Sequence, residues 1–149
     1  MSGLLHGVDK PSTSFTADGN VLAVFDDSTL SFFNVNSQEK LHSIEVKSRI
    51  ELMAFSPLGT YFVTWARVYK GDTDANLVIY RVNKGICCEV VARYFERRQP
   101  EWPAIRFTRN ENLAARMVKS EVQIFKNCNF TEICTSRIKM VGVTAFSML

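Results

Sequence analysis

One phrase recurs along this chain, and its spacing limits the possible folds more than any other feature. In its clearest copy, residues 105–108 are a short strand and the polar run Arg109, Asn110, Glu111, Asn112 is a turn. Residues 113–118 are a second strand, and residues 122–125 are a third after the connection Lys119-Ser120-Glu121. The anchor Phe107 has counterparts at Phe15, Phe55 and Phe146. Asp18-Gly19 follows Phe15, and Ser56-Pro57-Leu58-Gly59 follows Phe55, each making the same turn. Apolar second strands follow at 21–25 and 61–65, and third strands at 30–35 and 77–82. The anchors stand 40, 52 and 39 positions apart.

A period near 40 with about four strands per unit is the mark of a propeller blade. The 52-residue unit holds two insertions, one at residues 67–75 and one around residues 97–100. Both belong in surface loops, where closure entropy grows slowly with length. Leu77, Val78, Ile79 and Tyr80 are apolar on both faces, as expected of a sheet sandwiched between two others. The competing reading is a two-layer β-sandwich with coincidental spacing, but three aligned units argue against it. The expected fold is all-β, an incomplete WD40-like β-propeller. Its blades fall at about 15–46, 53–92 and 105–139, the first strand of a fourth at 143–149, and residues 1–14 form an N-terminal tail or an outer strand. Three blades and a strand do not close a ring of the usual four to eight. The expectation is a portion of a longer propeller, or a chain whose uncapped third unit is covered by something else.

Charge narrows the function classes. Residues 1–46 carry two Lys against six Asp or Glu, a net of −4, while residues 47–149 carry sixteen Lys or Arg against nine acids, a net of +7. A basic surface on part of a β protein points toward phosphate backbones. No apolar run approaches the roughly 18 residues of a bilayer span, and Met1 to Lys10 lack the basic and apolar regions of a secretory leader. Cys87 and Cys88 are adjacent, and Cys128 and Cys134 lie six apart, which is neither a disulfide pattern nor a zinc spacing. All four read as reduced thiols, which argues for the cytosol.

Catalytic constellations are not expected. His6 falls in the tail and His42 on an outer strand, with nothing nearby to complete a nucleophile set. Asp26-Asp27 reads as a solvated turn, and there is no glycine-rich phosphate loop. The expectation is a non-enzyme with no cofactor and no metal. The one constellation with chemistry is basic and aromatic: Arg93, Arg97, Arg98, Arg106, Arg109, Arg116 and Lys119, interleaved with Tyr94, Phe95 and Trp102. Arginine binds phosphate bidentately and stacks on bases, as aromatic rings do. Against this stands the reading that the aromatics pack between blades and the arginines are solvated. Arg93, Arg97, Arg98, Arg106 and Arg109 are the candidate contacts to RNA or an acidic partner, with Arg97 and Arg98 foremost because they sit in a loop.

Several of these phrases together carry a resemblance. Ala54-Phe55-Ser56-Pro57, Thr64-Trp65, Asn76-Leu77-Val78-Ile79-Tyr80, Trp102-Pro103, Leu113-Ala114-Ala115-Arg116-Met117-Val118 and Glu121-Val122-Gln123-Ile124-Phe125 resemble the N-terminal propeller of eukaryotic translation initiation factor 2A. Asn129-Phe130 and Val143-Thr144-Ala145-Phe146-Ser147 fit it as well. The b subunit of eukaryotic initiation factor 3 shares the Trp-Pro and Ala-Arg-Met arrangement and ranks second. The resemblance implies a cytoplasmic, non-enzymatic factor that binds the small ribosomal subunit and helps deliver initiator tRNA under the direction of the start codon rather than GTP. Messenger RNA and other initiation factors are further partners of that reading; no membrane is. The alternative is a WD-type protein-interaction scaffold. The resemblance carries across no site residues.

Overall fold

The computed structural model describes residues 12–118, 121–130 and 136–139. They form twelve strands: β1 (Ser12–Phe15), β2 (Val21–Asp26), β3 (Thr29–Asn34), β4 (Lys40–Glu45), β5 (Ile50–Phe55), β6 (Tyr61–Ala66), β7 (Leu77–Asn83), β8 (Ile86–Tyr94), β9 (Ile105–Phe107), β10 (Leu113–Val118), β11 (Glu121–Lys126) and β12 (Ser136–Lys139). They make three four-stranded antiparallel meanders in chain order, β1 to β4, β5 to β8 and β9 to β12. The first two sheets approach most closely at their first strands, where β1 lies along β5. The chain is all-β, built as stacked propeller blades. Among the described residues there is no helix, hence none long and apolar enough to cross a membrane.

Residues 12–14 join Phe15 in β1, at the inner edge of the first sheet. Residues 1–11 and the expected fourth unit at 143–149 lie outside the described residues, as does Cys134.

The first turn of each sheet shows why the phrase repeats. Thr16, Ser56 and Thr108 occupy one position, and their carbonyls accept from the amides of Gly19, Gly59 and Glu111 at 2.9 Å. Their hydroxyls then accept from the amides of Val21, Tyr61 and Leu113, at 3.1, 2.9 and 3.1 Å. The residue after the bend is left-handed in all three, with φ of 75° at Gly19, 77° at Gly59 and 60° at Glu111. Glycine adopts that region freely, and a residue with a Cβ does so at a cost of about 1 kcal/mol. Glu111 has a compensation: its carboxylate accepts from the amide of Leu58 at 3.0 Å, tying the third sheet's turn to the second's. In the first turn the Asp18 carboxylate accepts from the Thr16 hydroxyl and the Asn20 amide, which holds its pKa below the usual carboxylate value.

The core lies between the sheets and is split by residue parity. Every residue of β6 is buried. Phe62 faces Ala23, Phe25, Leu30 and Phe32 of the first sheet. Tyr61, Val63 and Trp65 face Ile105, Ala114 and Phe125 of the third. In β7, Leu77 and Ile79 join the third sheet's cluster, while Tyr80 and Val82 join the first's. Side chains alternate across a strand, so a strand covered on both faces loses its polar positions. Rings tile both interfaces: Phe62 lies 5.3 Å from Phe32 and 4.7 Å from Phe55, and Tyr61 stacks on Phe107 at 5.7 Å. Each such ring contributes on the order of 2 kcal/mol by burial.

Candidate nucleic-acid interface

In an antiparallel meander, alternate connections emerge at opposite ends. Residues 27–28, 46–49, 67–76 and 95–104 leave at one end; the repeated turns at 16–20, 56–60 and 108–112 leave at the other. Both insertions of the second unit therefore share an end. A single amide joins them. Asn76, which is buried, donates to the Ala66 carbonyl at 2.6 Å and to the Glu96 carbonyl at 2.7 Å, and accepts from the Glu96 amide at 2.7 Å. The Trp65 indole also donates to the Glu96 carbonyl, at 3.1 Å. The feet of the two connections are thus held on one polar knot above the second core cluster. The Glu96 side chain turns the other way and accepts from Arg116 of β10, whose guanidinium sits 4.0 Å from the Tyr94 ring centroid.

This arrangement sorts the candidate residues. Arg97 and Arg98 follow the knot and are exposed, and Arg93 is exposed on β8, opposite Val78. Among the described residues, no ion pair engages Arg97 or Arg98. Arg93 borders a cleft of about 560 Å³ between the first two sheets, with Glu45, Lys47, Asp74 and Asn76. Arg106 is elsewhere: it lies on β9, 3.8 Å from Glu101, and lines a cleft of about 480 Å³ where the first strands converge, with Phe15, Phe55 and Phe107. Arg109 is exposed in the repeated turn at the opposite end. The five arginines do not form one patch; Arg93, Arg97 and Arg98 share an end and the other two do not. Arg116 is buried within the knot, and Lys119 lies outside the described residues.

The aromatics divide likewise. Trp102 packs on the second cluster and its indole donates to the Met53 carbonyl at 3.1 Å, and Tyr94 packs on the same cluster. Phe95 is exposed, beside Arg97. Sequence reasoning missed Tyr69 and Lys70, which the first insertion presents in the open at this same end. A turn fixes them: the Tyr69 amide donates to the Asp72 carboxylate and the Asp72 amide to the Tyr69 carbonyl, both at 3.0 Å. The signal was an aromatic residue beside a lysine in an otherwise polar insertion. Arg67 is shared between Glu51, at 3.1 Å, and the Trp65 ring, at 5.8 Å. His42 is half-buried on β4, and among the described residues no three His, Cys, Asp or Glu side chains converge as a metal site.

No family model matches the chain. It is similar to the eukaryotic translation initiation factor 2A of Schizosaccharomyces pombe, with 26% identity over 148 residues, covering 96% of this chain and 25% of that protein. The proteins of the same name from Dictyostelium discoideum and Caenorhabditis elegans are 23% and 27% identical, over 93% and 91% of this chain. The chain spans about a quarter of the length of these curated relatives. Among solved structures, a eukaryotic initiation factor superimposes with a TM-score of 0.77 at 22% identity, over 95% of this chain and 35% of that one. The β-propeller domain of Cps50 (Swd1) from Myceliophteria thermophila does so with 0.53 at 14% identity, over 87% of this chain and 43% of that one. At these identities the superpositions establish the propeller fold alone.

Proposed function

We propose that this chain, a relative of the eukaryotic translation initiation factors 2A along nearly its whole length, acts in translation initiation as the propeller portion of a factor of that kind. In this reading it is a cytoplasmic, non-enzymatic module. It binds the small ribosomal subunit and helps deliver initiator tRNA in a codon-directed way, alongside mRNA and other initiation factors. The observation that carries the reading is the run of similarity to three proteins of one name over more than nine-tenths of the chain. The exposed Arg93, Arg97 and Arg98 supply the phosphate-binding chemistry it needs.

Sucrose-gradient sedimentation of the chain with purified small subunits tests this. Co-migration at low salt that falls away as salt rises is the expected result, because phosphate contacts release counterions. Absence from the subunit fraction at low salt, or binding indifferent to salt, overturns it. A protein scaffold would instead recover a defined protein set that RNase leaves intact.

A further inference from the structure

We infer that the end of the second sheet where residues 67–76 and 95–98 meet is a stacking site for unpaired RNA bases, with Tyr69 and Phe95 as the platforms and Lys70, Arg97 and Arg98 as the phosphate ligands. The inference rests on the RNA-contact reading above and adds which form of RNA is taken and by which rings. Three aromatic side chains belong to the exposed large hydrophobics among the described residues: Phe15, Tyr69 and Phe95. Phe15 lines the cleft between the first strands. The other two, 61% and 43% exposed, both stand at this end. Burial would have removed either from water at a gain, and, Phe15 apart, every other phenylalanine or tyrosine with a described side chain is buried or partly buried.

Their separation is bounded by the knot. Phe95 adjoins Glu96, and Tyr69 is three residues from Ala66, whose carbonyl shares the Asn76 amide with Glu96. At roughly 3.5 Å per residue, neither Cα strays more than about 11 Å from that knot. The cations lie close by: Arg97 and Arg98 follow Glu96, within about 7 Å of it, and Lys70 follows Tyr69, within about 14 Å of Ala66. Glu96 is paired with Arg116, whereas the Asp72 carboxylate, which accepts from the Tyr69 amide, and Asp74 are exposed at this end, so three cations stand beside two open acids. Open rings flanked by guanidinium and ammonium groups suit bases strung on a phosphate chain. An acidic peptide would use the cations but not the rings. A duplex hides its base faces within the stack and would not use the rings either.

The test is fluorescence anisotropy on the full chain with a labelled oligouridine of about ten nucleotides, an RNA duplex of equal phosphate number, and a polyglutamate peptide. The single strand is expected to bind more tightly than the duplex. Tyr69→Ala and Phe95→Ala are each expected to weaken it about tenfold without changing the salt slope. Tyr69→Trp and Phe95→Trp are expected to retain binding. Arg97→Glu with Arg98→Glu is expected to lower the slope. Unaltered affinity in the two alanine variants, a preference for the duplex, or tighter binding of polyglutamate overturns the inference. A chain that sediments with the small subunit yet ignores oligouridine overturns this inference alone; a chain that does neither overturns the functional reading as well.

Discussion

The Arg116 guanidinium is a charge taken almost wholly out of water and answered by one carboxylate. Its side chain is 9% exposed, that of Glu96 is 27%, and the Arg116 Nε has no partner. Removing one member of such a pair costs more than the pair contributes, because the other charge stays behind. The two halves are unequal here. Glu96→Gln strands a buried cation and is expected to cost about 2 kcal/mol in urea unfolding. Arg116→Met keeps the volume over Tyr94, leaves a carboxylate that reaches water, and is expected to cost about 1 kcal/mol less. A negligible cost for Glu96→Gln would show that the guanidinium matters for packing alone. Cys128 makes a second residue-scale case. Its buried thiol contacts the Glu111 carbonyl at 3.0 Å, and burial, aided by the Glu111 charge, pushes its pKa from 9.0 to about 11. The folded state thus favours the neutral thiol. That contribution is whole below pH 9.0 and is lost as pH rises through about 11. Tyr61, raised by burial and by its neighbour Cys128, acts in the same direction. Cys128→Val should flatten the fall in stability measured between these limits; an identical alkaline profile would remove Cys128 as its cause.

At the scale of the element, the knot around Asn76 couples two connections that would otherwise move separately. Asn76→Asp keeps shape but loses both amide donors, leaving the Ala66 and Glu96 carbonyls with fewer partners in a buried setting. A cost of about 2–3 kcal/mol is expected, with faster hydrogen exchange at the Glu96 amide. Unchanged exchange there would mean that the Trp65 indole alone holds the segment. The same element shows how far the sequence could be read. Phe15, Phe55 and Phe107 located the sheets because hydroxyl, bend and left-handed residue recur at fixed offsets from them. The 67–75 and 97–100 insertions were legible as loops because they interrupted that spacing. Their meeting was not, since it depends on one side chain bridging 20 residues of sequence. Nor was the scatter of the arginines: Arg106 and Arg109 are near Arg97 in sequence, but β9 carries them to the cleft between the first strands and then to the far end. Arg116 looked like one more surface charge because its burial comes from the neighbouring sheet.

At the scale of the whole molecule, among the described residues the two core clusters meet through the second sheet, so its strands transmit stability between the outer two. Phe62→Ala is expected to cost about 3–5 kcal/mol and to speed amide exchange in β2 and β3, since Phe62 faces that cluster. Trp65→Ala should do the same in β10 and β11. If either variant accelerated only β6, the sheets would be independent units rather than neighbours in a stacked array. The full burial of β6 has a further consequence, which concerns change over generations rather than strength. A half-exposed strand can drift on one side while its other side holds the fold. β6 has no such idle side: a substitution at an even position must suit the first sheet, and one at an odd position the third. Novelty in a protein built this way is therefore pushed outward to its tips, where residues 67–75 make a longer connection than its counterparts in the other units and present Tyr69 and Lys70 without touching either packed face of β6.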